Sequence, residues 1–177
     1  MDQITRLFLK TQREEGMQLA SQSDLLDLHV LDEQHFVASY GCRGLVRESD
    51  GRVTEHDRFD IGIWLSEDYL RIVDPAAVLS WLGPETVYHP NIRPPYVCLG
   101  PIAPGTPLID LLHRCFELVT YENVTMQEFD ALNRPACAWA RRHRERFPID
   151  TRPIKWRADV HAGSPGGGQA QDGEARP

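Results

Sequence analysis

An imidazole, a proline, a carboxamide and a thiol fall within one short stretch of this 177-residue chain. Tyr88-His89-Pro90-Asn91-Ile92 is followed, seven residues after the asparagine, by Cys98 in Val97-Cys98-Leu99-Gly100. A thiolate is the best neutral-pH nucleophile among side chains, and an amide N–H is suited to stabilising the oxyanion made when a carbonyl is attacked. Pro90 fixes its own φ and disfavours helical geometry at His89, so this pair is expected to shape a turn. The combination points to covalent chemistry at a carbonyl.

The other cysteines, Cys42, Cys115 and Cys137, form no Cys-x-x-Cys pair, which argues against a zinc ribbon and against a disulfide framework. Cys115 and Cys137 sit in helical apolar patterns, where a free cysteine behaves as a small buried hydrophobe. Cys98 stands between proline-rich and glycine-containing segments, where a side chain reaches solvent. The histidines are scattered singly without ligand spacing, so no metal site and no cofactor are expected.

One domain with a tail is expected from the length, over residues 1–160 and 161–177. From Gly163 the chain holds no large apolar side chain, which predicts disorder. A net charge of −7 disfavours a nucleic-acid role. No apolar run is long enough to span a bilayer and no secretory signal is visible, so no membrane role and a cytoplasmic location are expected.

The elements that must position the loop are legible from periodicity. Residues 2–20 read as a helix with Ile4, Leu7 and Phe8 on one face, Met17 and Leu19 further on, and Gly16 weakening its middle. Leu26–Val30, His35–Tyr40, Phe59–Leu65 and Ala77–Leu82 read as four strands of an antiparallel meander. Asp50-Gly51 signals a hairpin turn of type I′ between the second and third of these. Leu108, Leu111, Leu112, Cys115, Phe116 and Val119 form one helical stripe begun by Pro107, and Asn133-Arg134-Pro135 reads as the cap of another helix. Thr125-Met126-Gln127-Glu128 has the form of a capping box. The class is α+β.

The His89-Pro90-Asn91 motif with Cys98 after it resembles the active-site loop of the ubiquitin-conjugating (E2) family. Phe59 to Tyr69 is similar to that family's third strand and the acidic-Tyr turn after it. Val78 to Trp81 is similar to its fourth strand, and Asp130-Ala131-Leu132-Asn133 to the Asp-Pro-Leu-Asn before its next helix. The Asn91–Cys98 spacing is one residue shorter than is common, Gly100 stands where an acid is usual, and Tyr69 is followed by Leu70 rather than proline. These departures resemble the divergent bacterial E2-like proteins of ubiquitin-like conjugation operons, systems linked to antiviral defence.

The resemblance implies a UBC-like fold: N-terminal helix, four-stranded meander, active-site loop, then covering helices. It implies a conjugating enzyme that takes a ubiquitin-like protein from an E1-like activating enzyme as a thioester on Cys98 and passes it to an amine acceptor, with target proteins among its partners. Asn91 would hold the loop or donate to the oxyanion, and His89 and Pro90 would support the loop. Glu122, after the long helix, is a candidate for the acid that activates the acceptor. In relatives the first helix meets the activating enzyme and the loops beside the third and fourth strands meet ligases, which directs attention to residues 2–15 and about 66–76. Two other readings compete: a non-catalytic E2-like adaptor, and a cysteine hydrolase pairing Cys98 with His89. The latter needs the imidazole at hydrogen-bond distance and held by a third group.

Overall fold

The computed structural model describes residues 1–154. The expected tail and the last residues of the expected domain lie outside the described residues. Within them the chain is α+β, with an N-terminal helix, a six-stranded antiparallel sheet, and helices after it. Among the described residues no helix is long and apolar enough to cross a membrane.

Helix α1 (Gln3–Ser21) starts where the Asp2 side chain accepts from the Thr5 N–H at 2.8 Å. Its buried stripe is Thr5, Leu9, Gln12, Gly16 and Leu19; of the expected apolar residues Leu19 is buried and Phe8 packs against the core, whereas Ile4 and Leu7 are 74% and 65% exposed. The expectation for this helix chose the richer apolar face, whereas packing selected the one with a small residue at its centre. A Cβ on Gly16 would stand 2.8 Å from Leu108 Cδ2 and 2.9 Å from Leu28 Cδ2, so glycine lets two leucines approach. The buried Gln12 Oε1 accepts from Leu108 N at 2.7 Å, supplying the cap that Pro107 cannot give to the next long helix.

The four expected strands are β1 (Leu26–Val30), β2 (His35–Tyr40), β5 (Phe59–Trp64) and β6 (Leu79–Gly83). They are sheet neighbours in that order, all antiparallel. Register aligns Leu28, Ala38, Ile61 and Trp81 in one row, and Val30, Phe36, Ile63 and Leu79 in another. Each row lies on the side facing the helices, where period-two alternation puts the apolar side chains. The last strand begins at Leu79 rather than Ala77, because Asp74 caps a short helical turn, α2 (Pro75–Val78), through Ala76 N.

Two features exceed the expected meander. A separate hairpin, β3 (Gly44–Arg47) with β4 (Val53–His56), stands between β2 and β5 in sequence. Its turn is not type I′: Gly51 takes positive φ (88°) while Asp50 does not, and Glu48 N bonds back to Arg52 O. That is the longer loop closed by a left-handed residue. The second feature is β7 (Ile92–Arg93) and β8 (Tyr96–Val97), which add two short strands beside β6.

Helix α3 (Leu108–Val119) presents the predicted stripe inward, with Leu118 buried as well. Tyr40 Oη donates to Leu112 O at 2.9 Å, tying β2 to it. Helix α4 (Arg134–Arg142) is capped by Asn133, whose side chain accepts from Ala136 N. Thr125–Glu128 starts no helix; a single turn, Asp130 N to Gln127 O, replaces it.

Two apolar clusters result. The larger lies between the sheet, α1 and α3; the smaller gathers Leu45, Val53, Tyr88, Tyr121, Ala136 and Ala140 under the β3–β4 hairpin and α4. The stretch from Val87 to Leu99 runs along the seam between them.

Candidate active site

Val87, Ile92, Val97 and Leu99 are buried in the larger cluster, whereas Tyr88 is buried in the smaller one. The chain is thereby anchored on both sides of His89-Pro90-Asn91. The strap before it pairs along β3: Arg47 N donates to Thr86 O and Tyr88 N to Leu45 O, each at 2.8 Å. A turn follows, closed by Ile92 N to His89 O at 3.2 Å with Pro90 in its second position, where proline is favoured.

His89 is 1% exposed, and its Nδ1 accepts from Asn91 N at 3.0 Å. That bond requires the neutral tautomer with its proton on Nε2. Nε2 lies toward the Leu118 carbonyl without a well-formed hydrogen bond, and the ring packs edge-on against Tyr121 at 4.3 Å. Burial pushes the imidazole pKa down to about 3, with the Leu118 carbonyl opposing. A buried imidazole whose free lone pair is already occupied is scaffold, not a base for Cys98.

Asn91 is clamped at both ends. Its Nδ2 donates to Cys98 O at 3.1 Å, and its Oδ1 accepts from Thr125 N at 2.9 Å. A carbonyl partner needs the nitrogen and an N–H partner needs the oxygen, so both bonds agree on the orientation of the amide. Cys98 N in turn donates to Asn91 O at 2.9 Å. Asn91 and Cys98 thus hold each other through one backbone bond and one side-chain bond. Between them the β7–β8 hairpin turns at Pro94-Pro95, whose carbonyl accepts from Trp81 N at 2.7 Å.

Cys98 is the one cysteine of four that is not buried. Burial raises the others: Cys42 and Cys115 are each pushed up to about 12, and Cys137 is also raised. After Cys98 the backbone is fixed from α3, where Arg114 Nη2 donates to Leu99 O at 2.7 Å and to Pro101 O at 2.9 Å. Gly100 between them takes φ 80°, a left-handed conformation that glycine adopts without a Cβ clash.

The structure gathers all four predicted residues into one loop, and it brings in others that spacing did not reveal. The segment joining α3 to α4 grips the turn three times: Tyr121 Oη donates to Tyr88 O, Thr125 N to Asn91, and Asn133 N to Pro90 O at 3.0 Å. Tyr121 holds a positive φ of 63° without being glycine. Asn133 was legible as a cap; Thr125 contributes only a backbone N–H, which leaves no trace in residue type. Glu122 is exposed and makes no ion pair among the described residues. Among the described residues no group of three or more His, Cys, Asp or Glu side chains is arranged to hold a metal ion.

No protein-family model matches the chain, and no curated protein matches it in sequence.

Proposed function

We propose that the chain is an E2-type conjugating enzyme with a UBC-like fold, carrying the C-terminal acyl group of a ubiquitin-like protein on Cys98. The observation that carries this reading is the mutual hold of Asn91 and Cys98: a partly exposed thiol on a backbone fixed by Asn91 and Arg114. A fixed backbone carrying a partly exposed cysteine suits attack by and on a bulky thioester, because positioning removes orientational freedom from the barrier.

In the first step the Cys98 thiolate attacks the thioester carbonyl on the activating enzyme. The new C–S bond forms, the old one breaks, and the activating enzyme's thiolate leaves. In the second step an acceptor amine attacks the Cys98 thioester, a C–N bond forms, and the Cys98 thiolate departs while the amine's proton passes to solvent base. Asn91 has a further N–H on Nδ2 for the oxyanion once one is committed to Cys98 O. The exposed Ile4 and Leu7, with Arg6, Lys10 and Arg13 on the same helix, fit α1 as the surface for the activating enzyme.

A second reading, the non-catalytic adaptor, is favoured by one observation: the Asn91 amide is engaged structurally at both ends. Charging with the E1-like enzyme and ubiquitin-like protein separates the two. The enzyme reading expects an adduct that reductant removes, its absence in Cys98→Ala, and a longer-lived oxyester in Cys98→Ser. No adduct in the wild type, or an adduct that survives in Cys98→Ala, overturns it.

A further inference from the structure

One residue beyond Thr125, which bonds Asn91, begins the wall of an open cleft of about 820 Å³ lined by Met126, Gln127, Glu128, Phe129, Arg141 and Arg144. Phe129 on its rim is 76% exposed, the most exposed of the large apolar side chains among the described residues. Such a ring, at the edge of a concavity and unused by either core, has the makeup of an interface anchor.

The charge around it is opposite in sign to that of the chain. Residues 126–146 hold Arg134, Arg141, Arg142, Arg144 and Arg146 against Glu128, Asp130 and Glu145, in a chain whose net charge is −7. Arg141 is paired with Glu128 at 3.2 Å, and Arg146 donates to Val53 O while standing over the Trp139 ring. Arg144, on the cleft, has no ion-pair partner among the described residues. The cleft also adjoins the candidate site: Thr125, next to its Met126 wall, bonds Asn91, which bonds Cys98 O.

We propose that this cleft docks the acceptor, and that the acceptor is an acidic polypeptide segment with an apolar side chain for the Met126–Phe129 rim. The proposal rests on the reading of Cys98 as acyl carrier, and it adds the class of target. Charge complementarity selects the occupant: carboxylates meet Arg144 and Arg141, and the apolar side chain covers Phe129. Nucleic acid is the less favoured occupant, because Glu128 lines the cleft and the chain's net charge of −7 repels phosphate.

The test reads binding without a thioester. Full-length Cys98→Ala protein is titrated into a fluorescein-labelled peptide of alternating glutamate and leucine, with a lysine–leucine peptide and a single-stranded oligonucleotide as comparators. The acidic peptide should bind and weaken with salt. Arg144→Glu should weaken it about fivefold, the scale of an exposed ion pair turned to repulsion. Phe129→Ala should weaken it about tenfold through lost apolar burial. Arg144→Glu in the Cys98 background should charge normally yet transfer poorly to an acidic acceptor. No binding, or equal binding of the lysine peptide or oligonucleotide, overturns the docking site while leaving charging on Cys98 untouched. A failure to charge with peptide binding intact sinks the carrier reading alone.

Discussion

Replacing Asn91 by alanine removes two hydrogen bonds at once and separates a structural clamp from a purely catalytic amide. Thr125 N–H and Cys98 C=O both lose their partner, at a position where the asparagine is 9% exposed. A net hydrogen bond is worth about 0.5–1.5 kcal/mol and an orphaned buried group costs about 1–3 kcal/mol. With water reaching part of the vacated space, the two losses together come to about 2–4 kcal/mol. At a urea m-value of about 2 kcal/mol/M, the unfolding midpoint should fall by about 1–2 M. Asn91→Asp isolates the Cys98 half of the clamp. Its carboxylate still accepts from Thr125 N–H but presents an acceptor to the Cys98 carbonyl, so its deficit should shrink in acid as the carboxyl regains a proton to donate. Urea titrations of the three proteins at pH 7 and pH 5 provide the assay. A shift under about 0.5 kcal/mol for Asn91→Ala, within the range of an inert surface change, would refute the clamp. Loss of transfer with unchanged stability would then leave only the oxyanion role.

Thiol counting gives a second outcome: the folded protein should react with one equivalent of a thiol reagent at Cys98, and with four in denaturant, because the other three cysteines are buried. Two or more fast equivalents in the native state contradict the placement. A third concerns pH. His89 falls from 6.5 to about 3 on folding, so the unfolded chain binds its proton first. Its contribution is fully present above pH 6.5 and is lost as pH falls through the folded value, about 1.4 kcal/mol per unit between roughly pH 6 and 4.5. Asp2, Asp32, Asp50 and Asp150, lowered from 3.8, add their own loss only further down. An unchanged slope in His89→Gln would assign that window to another group. Finally, Tyr121→Phe leaves Tyr88 O without its buried donor and should cost about 1–3 kcal/mol in urea unfolding; a neutral result would mean the loop does not need this strut.

Local patterning carried the strands and α3, because each is half buried and its apolar residues repeat with the period of the element. It failed at α1, where Ile4 and Leu7 outweighed Thr5, Gln12 and Gly16 on any hydropathy scale. What turned the stripe through Thr5, Leu9, Gln12, Gly16 and Leu19 inward was tertiary: Gln12 caps α3 and Gly16 admits Leu108. The loop residues were legible by type, since a thiol outside every apolar stripe and a proline-shaped turn are local signals. The grip on that loop was not. It comes from the Arg114 guanidinium on α3 and the Tyr121 hydroxyl, and from the backbone N–H groups of Thr125 and Asn133, to which residue type is blind.

That grip explains why the loop crosses the seam between two cores rather than lying over one. A loop anchored in a single cluster would follow that cluster's packing alone. Here Tyr88 is seated in the smaller cluster and Ile92 in the larger, with His89-Pro90-Asn91 stretched between them. A shift of either cluster must therefore be met at the turn, and the neutral, buried His89 with its Nδ1 bound to Asn91 N resists it. The same segment that closes the smaller cluster, Tyr121 to Asn133, forms one wall of the arginine-rich cleft. An occupant of that cleft would press on the side of the seam that holds Asn91 Oδ1. In the proposed docking, Thr125 would link an occupant of the cleft to the loop, and Phe129→Ala should alter transfer rate without altering the charging of Cys98.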